Sequence, residues 1–97
     1  MTDLNRATSA LTEVDKYTAE IYVDSDELCT VTALGTWVGT LSVEYRLEQG
    51  TAWNVLETKT ENGRWDFPGG GDNWRIGFSA FTSGTANVTI QGKRSER

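Results

Sequence analysis

The stretch TLSVEYRL, residues 40–47, decides the fold class of this chain. Apolar residues occupy every second position, and threonine, serine or charged residues stand between them. A period of two is typical of an antiparallel strand that buries one face and exposes the other. The residues expected to point inward are Leu41, Val43, Tyr45 and Leu47. The stretch therefore predicts a half-buried antiparallel strand.

The same alternation recurs on both sides of this stretch. Further strands are predicted over residues 29–34, 74–80 and 85–91, and shorter ones around residues 20–24, 53–57 and 64–67. Turn signals rich in glycine and asparagine separate them, and no helical period persists beyond one turn predicted within residues 4–12. The fourteen threonines also favour strands. We expect an all-β protein, an antiparallel β-sandwich of about seven or eight strands, either jelly-roll or immunoglobulin-like.

The shared phase of these segments predicts the core. Within residues 74–80 it places Ala80 inside and leaves Phe81 out of the inward row. Trp53 is expected to cross the sheet from Tyr45 or Leu47 and to close one end of the core. The predicted core residues are Val31, Leu41, Val43, Tyr45, Trp53, Trp74, Ile76, Phe78, Val88 and Ile90.

Length and terminal composition predict the domain organisation. A chain of 97 residues forms one small domain. Residues 1–12 show only weak apolar patterning and are expected to form an N-terminal arm outside the sandwich. Residues 13–92 form the β-sandwich domain, and residues 93–97 form a charged C-terminal tail.

Composition excludes more chemistry than it suggests. The chain has no histidine, one cysteine and a net charge of −5, which argues against a zinc site, a disulfide framework and a nucleic-acid-binding surface. The glycine run 69–71 and the acidic stretch 24–27 are interpreted as connections between strands, and Cys29 as a buried, reduced thiol. No apolar segment has the length of a secretory signal or of a membrane span. We expect no enzyme activity, no cofactor, no metal, no nucleic acid and no membrane contact.

The four tryptophans suggest an alternative function, carbohydrate binding. Exposed tryptophans on a β-sandwich can stack against sugars, so a carbohydrate-binding module is an alternative. Trp74 and Trp53 fall in phase with the inward residues. For Trp37 and Trp65, which lie beside turns, the core, a subunit interface and a ligand face remain equally open.

A longer pattern resembles a known protein family. The segment WVGTLSVEYR (residues 37–46) is followed by GTAWNV (residues 50–55), then WRIGF (residues 74–78) and SGTANVTI (residues 83–90). Small β-sandwich virion structural proteins of tailed bacteriophages show similar W-x-G-T strands, a hairpin ending in tryptophan, and a closing S-G-T-x-x-V-x-I strand. The resemblance spans residues 29–91.

The resemblance implies a structural role in a virion. The expected function is a capsid decoration (cement) protein that binds the major capsid protein. The alternatives within the family are a head–tail neck, head-fibre, or tail and baseplate protein. The chain would be made in the host cytoplasm, would reside in the virion, and would form a homo-oligomer, a trimer by analogy. The candidate interface residues are Leu4, Leu11, Tyr22, Trp37, Trp65, Phe81, Lys93, Arg94 and Arg97, and the basic tail is expected to meet the acidic residues 13–27 of a neighbouring subunit.

Overall fold

The computed structural model describes residues 6–47 and 51–94, and within these ranges the chain is all-β. The eight strands are β1 (Arg6–Leu11), β2 (Ile21–Val23), β3 (Glu27–Leu34), β4 (Trp37–Arg46), β5 (Asn54–Lys59), β6 (Gly63–Pro68), β7 (Asp72–Gly84) and β8 (Ala86–Arg94). Their positions match the alternating segments, so the predicted all-β fold is confirmed.

The strands form two antiparallel sheets of four strands each. The first sheet has the order β1-β8-β3-β6 and the second sheet has the order β2-β7-β4-β5. Four pairs, β1 with β8, β2 with β7, β3 with β6 and β4 with β5, make the chain one long hairpin whose tip is the β4–β5 connection. The hairpin is rolled up until β3 meets β8 and β4 meets β7. This nested pairing is that of a jelly roll, the first of the two predicted sandwich types.

The core lies between the inner faces of the two sheets. Trp74 is buried, and seven other predicted core residues have no exposed surface at all. These seven are Val31, Leu41, Val43, Ile76, Phe78, Val88 and Ile90. Tyr45 is half-buried and packs against this cluster, whereas Leu47 is exposed. The period-two pattern therefore identified the inner faces of the long central strands.

The N-terminal segment differs from its prediction. Residues 6–11 are neither a turn of helix nor an arm, because they form β1 and pair with β8 without a break in register. Ala7 and Leu11 are buried in the core. The apolar residues of β1 are small and spaced four apart, with Ser9 between them, so the segment carries only a weak signal of alternation.

The C-terminal boundary also differs from its prediction. β8 continues through Lys93 and Arg94, whose strand partners are Leu28 and Glu27. The basic residues of the expected tail thus run beside the acidic stretch of their own chain.

Two irregularities in β7 change which side chains face the core. The register between β7 and β4 shifts near Gly39 and near Thr40. A β-bulge adds one residue to a strand and so moves the following side chains to the other face. As a result Ala80, predicted inside, is exposed, whereas Phe81 is half-buried and its ring lies 4.9 Å from that of Phe78.

The connections are divided between the two ends of the sandwich. One end, which we call the terminal end, contains Arg6, Arg94, the connections at residues 24–26 and 69–71, and the described residues 47 and 51–53 between β4 and β5. The turns at residues 35–36, 60–62 and 85 lie at the other end, the turn end. In the connection at 69–71, Gly70 and Gly71 both have positive φ, at 71° and 73°. Glycine adopts this conformation without strain, so the glycine run makes a tight turn.

Residues 12–20, which connect β1 to β2, cover one side of the sandwich. The Asp15 N–H donates to the Phe78 carbonyl and the Thr18 N–H donates to the Ile76 carbonyl, both at 2.9 Å. The segment therefore lies along the edge of β7 next to β2 and satisfies its carbonyls. We call this side of the sandwich, with β1 and β2, the closed side.

Candidate functional site

The opposite side, between the edge strands β5 and β6, is open. Glu57 and Lys59 pair with the core-facing Val43 and Leu41, so these charged residues lie on the inner side of β5. Charged side chains resist burial, and edge strands use them to limit pairing with other chains. Lys59 instead binds Glu57 at 2.6 Å and places its ammonium 4.8 Å from the ring centroid of Trp65 on β6. This contact bridges the open side near the turn end.

Nearer the terminal end, the open side contains a groove of about 310 Å³. Its lining is mainly apolar and consists of Tyr45, Leu56, Pro68, Trp74 and one carboxylate, Asp72. The rings of Tyr45 and Trp74 lie 5.8 Å apart, and the Trp74 indole N–H is already satisfied by the Gly69 carbonyl. The volume lies at the lower end of the range for ligand pockets, about 300–1,000 Å³.

Exposed apolar side chains lie near the tip of the long hairpin, and one of them, Leu56, lines the groove. Leu47 is 72% exposed, Val55 is 59% exposed and Leu56 is 40% exposed. The three residues lie where β4 ends and β5 begins, at the tip of the long hairpin. Val55 pairs with Glu44 and so lies on the outer face of the second sheet, whereas Leu56 faces the groove. Exposed apolar surface with a groove marks an interaction site. The groove with Leu56 forms the candidate binding surface of the protein.

A charged cluster occupies the outer face of the second sheet. Glu44 is buried, accepts from the Ser42 hydroxyl at 3.0 Å, and is bound by the Arg75 guanidinium at 2.7 Å. The Arg75 guanidinium lies 3.8 Å from the ring centroid of Tyr17. Gly77 makes room for that ring, since a Cβ there would lie 2.4 Å from it. The cluster fixes the covering segment 12–20 to the sheet.

Trp53 belongs to this outer cluster and not to the core. The guanidinium groups of Arg46 and Arg75 lie 4.4 Å and 4.3 Å from its ring centroid. Arg46 also forms a salt bridge with Glu20 and donates to the Thr51 carbonyl. The prediction that Trp53 closes the core is wrong, because the chain brings it to the outer face, where two guanidiniums attract the indole ring.

The four tryptophans lie in four different environments. Trp53 is on the outer face, Trp65 is on the open side against Lys59, and Trp74 is buried at the terminal end. Trp37 is at the turn end, where its indole N–H donates to the Asn62 side chain at 2.7 Å and its ring contacts Phe78 edge-on. The arrangement is not a common platform on which a sugar could stack. A second, polar depression of about 300 Å³ beside Trp37 is lined by Gly35, Thr36, Thr60, Glu61 and Asn62.

The structure separates the candidate interface residues. Leu11 is buried, which corrects its expected role as an exposed anchor. Trp37, Trp65 and Phe81 are half-buried against the core, whereas Tyr22 is 46% exposed and Lys93 is exposed. Arg94 is the last residue of β8. Leu4 and Arg97 lie outside the described residues. None of these residues lines the groove, which the sequence analysis missed.

The environment of three residues shifts their pKa values. Burial raises the pKa of the Cys29 thiol to about 12, and the nearby Asp66 adds to the shift. Burial also raises the pKa of Tyr17, with Glu44 acting in the same direction and Arg75 against it. Desolvation and the Asp24 carboxylate raise the pKa of Tyr22. Cys29 is therefore a protonated thiol at neutral pH.

The acidic stretch supports the local backbone. The Glu27 carboxylate accepts from the Asp24 N–H at 3.0 Å, and the Glu27 N–H donates to the Asp24 carbonyl at 3.1 Å. Among residues 6–47 and 51–94 no group of histidine, cysteine, aspartate or glutamate side chains is arranged to hold a metal ion. In the same part of the chain no helix has the length and apolar character to cross a membrane.

Comparison with known proteins provides no relative. No family model, no curated protein and no solved structure matches the chain.

Proposed function

We propose that the chain is a non-enzymatic structural protein of a bacteriophage virion, acting as a capsid decoration protein that stabilises the head by binding the major capsid protein. The proposal rests on the sequence resemblance together with one structural observation. A mainly apolar groove lies on the open side of the sandwich, and Leu56, which lines it, is 40% exposed. An exposed apolar surface with a groove fits the binding of a protein partner.

The distribution of polar groups supports a binding role over catalysis. In the part of the chain that the structure describes, the buried carboxylate of Glu44 is held by Ser42 and Arg75. Glu20 is held in the same way by Arg46. These groups are committed to fixing segments of the fold. The groove itself offers aromatic and aliphatic side chains and a single carboxylate, Asp72.

The fold is compatible with more than one function. Jelly rolls occur in viral capsid proteins and also in lectins, so topology does not choose between the virion role and carbohydrate binding. The separation of the four tryptophans speaks against a sugar-stacking platform. A neck, head-fibre or tail position would use the same exposed surface, so these positions remain alternatives within the proposal.

The test is binding to particles that lack this protein. Purified chain is mixed with heads, and separately with tails, of the same phage, and bound protein is quantified after sedimentation of the particles. Saturable binding to heads with a higher melting temperature of the capsid is expected. Binding to tails alone would overturn the decoration role in favour of a tail position. Binding to a glycan array, without binding to particles, would overturn the virion role.

A matched pair of variants tests the surface. Leu56 lines the groove, whereas the neighbouring Val55 pairs with Glu44 and so lies on the outer face of the second sheet. We expect Leu56→Lys to weaken particle binding at least tenfold, because a charge is placed in the apolar groove, and Val55→Lys to leave it unchanged. Equal binding by both variants would show that another face attaches the protein.

A further inference from the structure

Two strand edges border the open side of the sandwich. Among the described residues, β5 pairs with β4 alone and β6 pairs with β3 alone, so each is the last strand of its sheet. An edge strand presents backbone N–H and C=O groups to which another strand can bind. The side chains along the edge then determine which strand is accepted and which is rejected.

The charges of β5 are complementary to those of a second copy of β5. Glu57 and Lys59 lie on the inner side of the strand, with Thr58 between them on the outer side. In an antiparallel pair centred on Thr58, Glu57 of each copy stands directly opposite Lys59 of the other. Directly opposite residues have Cβ atoms about 4.5–5.5 Å apart, closer than the spacing of about 6.7 Å between alternate residues of one strand. The four charges then alternate in sign, and the 2.6 Å contact between Lys59 and Glu57 within each copy is kept.

The neighbouring registers of the same pair are unfavourable. A shift of two residues in one direction sets Glu57 opposite Glu57, and a shift in the other direction sets Lys59 opposite Lys59. Like charges directly opposite one another destabilise a strand pair. A shift of one residue sets inner side chains against outer ones, which the pleat of a continuous sheet does not allow. The order of the charges therefore selects one register.

The other edge strand, β6, has the same property around Trp65. Trp65 pairs with the core-facing Val31, so Arg64 and Asp66 on either side of it point to the outer face, where both are exposed. In an antiparallel pair centred on Trp65, Arg64 of each copy stands opposite Asp66 of the other. The two centres lie close together, because the Lys59 ammonium is 4.8 Å from the Trp65 ring centroid. One two-fold axis across the open side therefore serves both strands.

We propose that two copies of the chain join at their open sides about a two-fold axis, with β5 paired antiparallel to β5 of the second copy around Thr58 and β6 facing β6. The same surface is used by both copies, as a two-fold axis requires. The inner charges reject strands without matching charges and accept a strand with the same two charges in antiparallel order, which a second copy supplies. The inference goes beyond the proposed function, because it concerns the free protein and needs no virion component.

The dimer and the groove occupy different parts of the open side. The pairing is centred near the turn end, whereas the groove lies nearer the terminal end. Because the two copies run antiparallel, the groove of each copy extends past the turn end of the other. Tyr45 and Trp74, which line the groove, belong to β4 and β7 and not to the paired edges. The groove therefore stays open to a virion partner.

The test is the association state of the full chain, measured by sedimentation equilibrium. Both edge strands are six residues long, so the interface is small and the measurement runs from micromolar to near-millimolar concentration. We expect the unmodified chain to form a dimer that weakens as salt screens the charges. Glu57→Lys and Lys59→Glu each set like charges opposite one another, and each is expected to weaken the dimer at least tenfold.

Mixing the two variants separates pairing between copies from the ion pair within one copy. In an equimolar mixture of Glu57→Lys and Lys59→Glu, every opposing pair of the mixed dimer again carries opposite charges. The mixture is therefore expected to associate as tightly as the unmodified chain. Glu13→Lys and Lys16→Glu are the matched controls, because they change the net charge equally but are exposed on the closed side. Alone or mixed, they should leave the association unchanged.

The outcomes decide the proposal in either direction. Weakened association of each variant alone with recovery in the mixture supports the pairing, and recovery also shows that both variants are folded. A monomer over the whole concentration range, the trimer expected by analogy, association that survives either substitution, or a mixture no more associated than its components overturns it. A monomer that still binds particles would leave the proposed function intact, and a dimer that binds none would overturn only that function.

Discussion

The closed side and the open side of the sandwich differ in how their edge strands are covered. Both sides end in edge strands, whose free hydrogen-bonding groups invite other chains to pair with them. On the closed side, residues 12–20 run along β7, and Tyr17 and Thr18 attach them to the sheet. On the open side, β5 remains exposed, and a contact from Lys59 to Trp65 spans the gap to β6.

The difference shows how side-chain placement on an edge strand determines where the core ends. β2 presents Ile21 and Val23 to the interior, and both are buried. β5 presents Glu57 and Lys59 at equivalent inner positions, so the opposite sheet cannot close over it. The surface left free by this polar strand is the candidate binding surface. The following predictions test the contrast, starting with the largest expected effect.

Truncation in the core near the closed side should be the most damaging change. Phe78 has no exposed surface and contacts Trp37 and Phe81. Phe78→Ala should lower the free energy of unfolding by about 3–5 kcal/mol, because it removes buried apolar surface and leaves a cavity. Urea denaturation followed by tryptophan fluorescence measures this. An unchanged midpoint would contradict the assigned register of β7.

Truncating the side chain of Leu11, the last residue of β1, tests whether this strand contributes to the core. Leu11→Ala should cost about 2–4 kcal/mol, since Leu11 is 3% exposed. The matched substitution of a solvent-facing residue on the same strand, Thr8→Ala, should have little effect on the same measurement. Equal stability of both variants would restore the original expectation of a dispensable N-terminal arm.

Removing one charged side chain from the outer cluster tests how the covering segment 12–20 is attached to the second sheet. Arg75→Met leaves the buried Glu44 carboxylate without its cation and should cost about 2 kcal/mol. The double variant Glu44→Gln with Arg75→Met should be more stable than Arg75→Met alone, because no buried charge is left unpaired. A double variant that is less stable than Arg75→Met would contradict this explanation.

Cys29 reports whether water enters the core from the open side. Its strand β3 is next to the edge strand β6, where Phe67 is its partner. With a pKa raised from 9.0 to about 12, the folded state holds the thiol proton more tightly than the unfolded state. Stability should therefore be nearly constant below pH 9 and fall above it, by about 1.4 kcal/mol at pH 10 from this thiol alone. Cys29→Ala should reduce this decline, leaving the smaller part that the raised pKa values of Tyr17 and Tyr22 cause at higher pH, and a thiol reagent should react fast only after denaturation.

Changes on the open side should have the smallest effect on stability. Leu56→Ser alters a residue that is 40% exposed on an edge strand, so we expect a loss below about 0.5 kcal/mol. The same denaturation measurement as for Leu11→Ala provides the comparison. A loss comparable to that of Leu11→Ala would show that β5 is part of the core and would remove the contrast between the two sides.

The sequence predicted the central strands and three of the four edge strands, and it missed the edge strand β1. Leu41 and Val43 in β4, and Ile76 and Phe78 in β7, follow a strict period of two because both strands lie inside a sheet over a buried core. β1 lacks this signal because an edge strand needs fewer apolar residues. Its partner β8 is far away in sequence, and no local pattern indicates such pairing.

The candidate binding surface could not be predicted from alternation. Leu56 lies within the predicted strand 53–57, but the register shift between β4 and β5 makes it an extra residue of an edge strand, and it lines the groove. Likewise, the attraction of Trp53 to Arg46 and Arg75 depends on residues that become neighbours through the fold. An alternating sequence pattern does not reveal where a bulge occurs or which residues distant in the chain come into contact.

The nested pairing of the strands has a consequence for how the protein reaches its folded state. β8 lies between β1 and β3 in the first sheet, although it follows every other strand along the chain. During synthesis, therefore, neither β1 nor β3 can form its hydrogen bonds with β8 until β8 has left the ribosome. Folding that depends on such distant pairings is slow compared with folding through local contacts. Until that moment β1 has no strand partner and β3 has one unpaired edge, and exposed edges of this kind favour aggregation.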